Sequence, residues 1–176
     1  MKHILETERL VLREFVKEDF QELFRMNSDA EIMQYVGDGS TRSYEEQIDE
    51  LDRLIRNYSK RPCLGIWATL LKGTHTFIGG SGLVYYDNTT EIEIGYRILK
   101  EHWNKGYATE ASKALLRYGF EQLDLKKIVS SAHVDNIASR RVMEKTGLKF
   151  RDFRFHYNCM QAYYEMLLED YIALYK

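Results

Sequence analysis

Apolar residues along this chain follow two rhythms, and the rhythm changes at one short stretch. Residues 91–98 (Glu-Ile-Glu-Ile-Gly-Tyr-Arg-Ile) alternate with period two, which predicts a strand sending Ile92, Ile94, Tyr96 and Ile98 to one side. From Ala111 the spacing is helical: Ala111, Leu115 and Tyr118 share a stripe, with Glu110, Lys113, Arg117 and Glu121 on the outer face. Between the two runs lies Gly106, where a backbone without Cβ lets a ligand approach closely. The first turn of the following helix carries unpaired N–H groups and the positive end of the helix dipole, an anion site beside the charge of Lys105.

The same reading extends outward. Residues 7–15 form a first strand with Leu10, Leu12 and Phe15 inward. Phe20, Leu23 and Phe24 mark a helix over 17–27, and Asp29 caps a short one over 30–35. Ser43 and Glu46 have capping-box spacing ahead of a stripe of Ile48, Leu51, Leu54 and Ile55. Acidic residues crowd the first half of that helix, which suits either its dipole or a cationic ligand. Residues 63–71, 76–86 and 91–99 read as three strands of an antiparallel meander. Glycines 79, 80 and 82 in the middle strand imply a bulge, a substrate contact or tight packing. A strand over 127–134 precedes a helix that starts at Asp135 or Asn136 and stops at Gly147. Strands over 149–157 and 161–169 and a short tail complete the chain. The expected architecture is α+β (mixed α/β), a mostly antiparallel central sheet of about six or seven strands with helices on both faces.

Composition narrows the function classes. With 25 basic against 27 acidic side chains the net charge is −2, so no footprint for nucleic acid or an anionic membrane appears. No run approaches the length of a membrane span, and the first residues meet charge before any apolar leader could form, which points to the cytoplasm. The 176 residues, 44% of them hydrophobic, suit one domain over 1–176, and Pro62 is the single proline. Cys63 and Cys159 lack metal-site or disulfide spacing and read as buried or half-buried thiols, and the histidines show no ligand spacing, so no metal is expected.

Three stretches carry a resemblance. The run Trp-Asn-Lys-Gly-Tyr-Ala-Thr-Glu-Ala from Trp103 to Ala111 resembles the pyrophosphate loop of the GNAT superfamily of N-acetyltransferases. The opening Thr-x-Arg-Leu-x-Leu-Arg from Thr7 and the later Asn-x-Ala-Ser-x-Arg-Val-x-Glu-Lys-x-Gly, ending at Gly147, are similar to the branch that acetylates N-termini of ribosomal proteins (RimJ/RimL type). Trp103 replaces the superfamily's Gln or Arg, and Asn104 stands where the branch usually has Gly, a substitution the left-handed region tolerates.

The resemblance implies acetyl-CoA as co-substrate and an acetyl transfer to a primary amine, on a protein N-terminus or a small molecule, by direct attack. It implies that main chain at Tyr96, Arg97 and Ile98 pairs with the pantetheine, and that amides from Asn104, Lys105, Gly106, Tyr107, Ala108 and Thr109 hold the pyrophosphate. Asn136 would bond the pantetheine arm, or serve only as an N-cap. Arg140, Arg141 and Lys145 are candidates for the 3′-phosphate. Ser139 would protonate the leaving thiolate, or bond local backbone instead. Met143 occupies the position where many members carry a tyrosine acid. Glu93 is the candidate base, on the non-core face it shares with Glu91, unless both are simply solvated. The alternative is a catalytically quiet acyl-CoA-binding or sensing protein, favoured by Asn104 and Met143. Phe153, Phe155, Tyr157, Tyr163 and Tyr164 near the C-terminus would pair two protomers or line the acceptor cleft.

Overall fold

The computed structural model describes residues 2–176. Its strands are β1 (His3–Glu6), β2 (Leu10–Arg13), β3 (Gly65–Leu71), β4 (Phe77–Tyr85), β5 (Ile92–Ile98), β6 (Lys127–His133), β7 (Lys149–His156) and β8 (Cys159–Leu167). The helices are α1 (Phe20–Asn27), α2 (Ala30–Met33), α3 (Tyr44–Lys60), α4 (Tyr107–Arg117), α5 (Ile137–Lys145) and α6 (Leu168–Tyr175). All eight strands lie in one sheet, ordered β1-β2-β3-β4-β5-β6-β8-β7. Every neighbouring pair is antiparallel except β5 and β6. The mixed α/β architecture is as expected, with one strand more than the count of six or seven. No helix among the described residues is long and apolar enough to cross a membrane.

The extra strand comes from the expected strand at 7–15, which breaks at its start. Thr7 Oγ1 accepts from the Leu10 N–H at 2.8 Å while the Thr7 N–H bonds the Leu10 carbonyl, so residues 7–10 turn and His3–Glu6 folds back on β2. The expected tail is likewise a helix: Leu168, Tyr171 and Tyr175 recur at helical spacing, and Tyr171 stacks on Phe120 at 4.8 Å.

Local signals place the other elements. Asp29 caps α2 by accepting from Glu31 and Ile32, and Ser43 and Glu46 form the full capping box of α3. Helix α3 is rotated from the expected stripe: Gln47, Leu51 and Tyr58 are buried and Ile48 is exposed. Of the thiols, Cys159 is half-buried as expected, whereas Cys63 is exposed. In β4 the glycines answer to backbone. A Cβ on Gly79, at φ +153°, would lie 2.1 Å from the Arg97 carbonyl oxygen, and one on Gly82 would lie 1.8 Å from that of Gly65. The β3–β4 register also slips between Thr69 and Leu70, so a bulge and close packing account for them.

The two faces of β5 do different work. Ile94 stands opposite Leu83, whose side chain packs with Ile128 beneath Gly119, where α4 widens into a π-turn over Tyr118–Gln122. Leu115, Leu116 and Ala111 of α4 are fully buried against that side, and each fully buried leucine contributes about 1.5–3 kcal/mol. The opposite face carries Glu93, Gly95 and Arg97, in register with Val84, Gly82 and Gly80, and lies under α1 and α3.

Candidate active site

Strands β5 and β6 meet at one register point, Glu93 opposite Val129, and then diverge. Beyond it the edge of β5 facing β6 has no strand partner, and main-chain polar groups there are left for a ligand. A cleft of about 870 Å³ follows this opening; Glu93, Tyr96, Arg97, Asn136, Ser139 and Tyr157 are among its lining residues.

Glu93 is 7% exposed, not solvated. Its Oε1 accepts from the Ser131 N–H at 3.0 Å and from Ser131 Oγ at 2.7 Å, while Oε2 accepts from Tyr157 Oη at 2.7 Å. Burial raises its pKa to about 7 against these hydrogen bonds, with Asp87 adding to the rise. Tyr157 is itself fixed: it sits in the β7–β8 turn at φ +51° and accepts from the Asp87 N–H at 2.8 Å. Asp87 in turn bonds His156 Nδ1 at 3.0 Å. Glu91, two residues away on the same face, has a different fate. Burial pushes its pKa up, but Lys127 and Tyr163 outweigh that and hold it below the ordinary value. One carboxylate is neutralised in an ion pair; the other is left poised near neutrality.

Across the strand, Tyr96 Oη lies 2.8 Å from Ser139 Oγ and donates to the Ser139 carbonyl at 3.1 Å. Burial raises the Tyr96 pKa. Ser139 therefore faces a phenol, not only its own backbone. Asn136 caps α5, its Oδ1 accepting from the Ser139 N–H at 3.0 Å. Met143 is 1% exposed and belongs to the core.

The junction before α4 is built from two left-handed residues, Asn104 at φ +58° and Gly106 at φ +81°. Gly106 is the N-cap of α4 and no side chain caps the helix, so its first N–H groups face outward unpaired. Trp103 folds back to donate Nε1–H to the Ile98 carbonyl at 2.6 Å, so that carbonyl is already engaged. The N-terminal hairpin clasps the loop. Arg9 donates to Glu110 at 2.6 Å and to the Lys105 carbonyl at 3.1 Å, and lies 4.7 Å over the Tyr107 ring. Thr7 Oγ1 and the Arg9 N–H complete the Glu110 carboxylate's contacts at 2.6 and 2.9 Å. Lys105 and Arg141 are exposed, and neither has a carboxylate within 4 Å among the described residues. Arg140 is tied instead to Tyr164 Oη and the Val134 carbonyl, both at 3.2 Å.

Sequence reasoning missed Ser131, Arg9 and Glu110 as parts of this region, the Tyr96 hydroxyl, and the bond from Tyr157 to Glu93, although Tyr157 was among the aromatics expected to line the acceptor cleft or pair protomers. A signal existed for Tyr157, which precedes Asn158 between two strands, the position of a two-residue hairpin turn. Arg97 shares the Glu93 face; its guanidinium bonds Asn27 and turns away from the loop.

The GNAT acetyltransferase domain matches residues 9–149. The uncharacterized N-acetyltransferase YnaD of Bacillus subtilis is 31% identical over 147 residues, covering 84% of this chain and 83% of its own. A GNAT-family acetyltransferase from Bacillus anthracis superposes with TM-score 0.82 at 27% identity, over 96% of this chain and 99% of that one. RimL, the ribosomal L7/L12 α-N-protein acetyltransferase, in a complex with coenzyme A, superposes with TM-score 0.79 over 96% and 99% of the two chains. At 16% identity that likeness is one of fold.

Proposed function

The chain belongs to the GNAT acetyltransferase family and is an N-acetyltransferase, and on that premise we propose that it passes the acetyl group of acetyl-CoA directly to a primary amine in a ternary complex, with Glu93 as the base. The observation that carries this reading is the buried Glu93 carboxylate, with pKa about 7, at the point where β5 and β6 part. An amine acceptor arrives largely protonated: an α-amine has a pKa of about 7.7–8.0 and a lysine-type amine about 10.4. A carboxylate near 7 removes the α-amine's proton with little uphill cost, and makes the step from a lysine-type amine less uphill than one near 4.5 would.

The donor lies along the open edge of β5 at Tyr96, Arg97 and Ile98. Amides from Asn104 to Thr109 take its pyrophosphate, Asn136 its pantetheine arm, and Lys105 and Arg141 its outer phosphates. The amine nitrogen, freed of its proton by Glu93, attacks the thioester carbonyl from the face that Glu93 lines. A β5 main-chain N–H polarises that carbonyl. The C–S bond then breaks, and the proton that the nitrogen sheds as the amide forms reaches the thiolate through the Tyr96–Ser139 pair or water. Because a thiol's pKa is only about 8.5, the acid contributes less than the base, so a Met at 143 is no obstacle. No protein nucleophile is required.

The acceptor in this reading is a protein N-terminal α-amine or a small-molecule amine, in the cytoplasm, on a single domain over 1–176. Of the five C-terminal aromatic residues, Tyr157 lines the cleft, Phe153 and Phe155 on edge strand β7 stand outside it at 52% and 69% exposure and suit a second protomer, and Tyr163 and Tyr164 serve neither use because both are wholly buried in the core.

The test is thiol release from acetyl-CoA by wild type and Glu93→Gln, against amines and N-terminal peptides, with acetyl-CoA affinity measured alongside. The expected result is a loss of about 10²–10⁴-fold in kcat/KM at unchanged affinity, the range a positioned general base supplies. A variant as fast as wild type overturns the role of Glu93. A wild type that binds acetyl-CoA and acetylates nothing moves the reading to the sensing alternative.

A further inference from the structure

The charges that line the cleft are not balanced in the way the acidic first half of α3 would imply. Three acids reach it, Glu50, Asp87 and Glu93, and three arginines, Arg53, Arg61 and Arg97. Each acid has a partner: Glu50 has Arg42 at 3.8 Å, Asp87 has His156, and Glu93 has Ser131 and Tyr157. None of the three arginines has a carboxylate within 4 Å among the described residues. Arg53 and Arg61 are exposed, and Arg61 lies over the Tyr85 ring at 4.7 Å. Water satisfies them.

Arg97 is less open to water than either. It is half-buried between β5 and α1, and burial lowers its pKa. Among the described residues its one side-chain hydrogen bond runs from Nη1 to Asn27 Oδ1. Asn27 is wholly buried and cannot turn, because its Nδ2 donates to the buried Gln47 Oε1 at 2.7 Å. A neutral amide oxygen steadies the guanidinium without compensating its charge, and Glu50, the acid that favours its charged form, lies beyond 4 Å and already pairs with Arg42. The Nε and Nη2 edge, the side-on fork that fits two carboxylate oxygens, makes no hydrogen bond to protein among the described residues.

This edge shares a face and a cleft with the base. Arg97 follows Glu93 by four residues on β5, about 13 Å along a strand rising roughly 3.3 Å per residue. Between them stands Gly95, over which Ile66 Cδ1 reaches to within 3.4 Å of where a Cβ would lie, so an acceptor spanning the two crosses an apolar floor.

We propose that Arg97 is a specificity residue that receives a carboxylate of the acceptor, so the substrate is an amine that also carries a carboxylate, its nitrogen at Glu93 and its anion on the open fork of Arg97. This rests on acetyl transfer at Glu93. The acidic residues of α3 do not oppose it: Glu46 closes the capping box, Glu50 pairs with Arg42, and Glu45 and Asp49 are exposed.

The experiment is a matched series. Thiol release is measured with ω-amino carboxylates of two to six methylenes, with n-alkylamines of equal length, and with α,ω-diamines. Tripeptides bearing Asp or Asn at the second position form a parallel arm. Wild type is expected to favour the carboxylate member at least tenfold in one arm, which tells a free amino acid-like acceptor from a peptide. Arg97→Gln is expected to bring that ratio to about one through KM, and Arg97→Lys to restore part of it. A wild type that prefers diamines or shows no preference, or a preference that survives in Arg97→Gln, overturns the proposal. Titration of 6-aminohexanoate into the CoA-loaded proteins separates the two readings. Without turnover on any amine, acetyl transfer fails, yet carboxylate binding that Arg97→Gln abolishes still supports Arg97 and equal binding still overturns it.

Discussion

The two sides of β5 are built on different principles. The side proposed for the donor is a continuous stretch of chain: the end of the strand, Trp103 folded onto the Ile98 carbonyl, two left-handed residues, and the first turn of α4. Its chemistry is main-chain N–H groups and a dipole, so it depends on backbone conformation more than on side-chain identity. The side proposed for the acceptor is assembled from five separate places: Glu93 on β5, Ser131 on β6, Tyr157 in the β7–β8 turn, Asp87 after β4, and Asn27 at the end of α1. Its chemistry is that of side chains withdrawn from water. Backbone recognition is written locally, whereas a tuned carboxylate exists only once distant strands have met.

Substitutions that separate the two sides sharpen this contrast. The largest effect concerns stability. Because the folded-state pKa of Glu93 is raised from 4.5 to about 7, the folded protein holds a proton that the unfolded chain has released between these values. Stability therefore falls as pH rises through that window, by about 3 kcal/mol in all, and stays reduced above it. Glu93→Gln has no such charge to bury. Its unfolding free energy in urea is expected to exceed that of wild type at pH 8 and to lose the advantage by pH 5. Equal pH dependence would show that the carboxylate is not desolvated.

A donor-side break comes next. Gly106→Val places a β-branched residue at φ +81°, a conformation costing an L-residue about 1–2 kcal/mol. Acetyl-CoA affinity measured by calorimetry is expected to fall about tenfold, while the pH at which the rate rises stays where it was. A shift of that pH instead would couple sides held here to be separate.

On the acceptor side, Tyr157→Phe removes a hydrogen bond to the charged form of Glu93. The carboxylate pKa is expected to rise further, by about half to one unit, consistent with roughly 1 kcal/mol for the bond. The rise of kcat/KM with pH moves upward by the same amount, and acetyl-CoA affinity is unchanged. The smallest effect belongs to Arg9→Ala, which opens the clasp on Lys105 and Glu110. That pair is partly exposed, so a loss of about 0.5–1 kcal/mol is expected, seen as a two- to fivefold rise in KM for acetyl-CoA. No rise would mean that the clasp does not position the loop.

These differences also decide what was legible in the sequence. Alternation at Ile92, Ile94 and Ile98 and the helical stripe from Ala111 identified the junction, because a strand running into a glycine-capped helix needs only neighbours. The caps at Asp29 and Ser43 were readable for the same reason. The break at Thr7 was not, since period-two patterning continues through a turn made by one hydroxyl. Helix α6 was hidden because Leu167, Leu168 and Tyr171 suit the end of a strand as well as a helix, until Phe120 supplies the surface on which Tyr171 stacks. In the site, Glu93 and Glu91 look alike in sequence. Only folding brings Lys127 to one and Tyr157 to the other. Arg97 was read for its main chain, and the role argued for its side chain depends on an amide that lies 70 residues earlier in the chain.

The measurement that bears most directly on the central claim is the titration of the Glu93 carboxyl itself, by ¹³C NMR with Glu93→Gln for assignment, set beside the pH profile of kcat/KM. The account predicts one inflection near pH 7 in both, present in wild type and missing from the variant. A carboxyl that titrates near the ordinary 4.5, or a rate profile that ignores its ionisation, would contradict it.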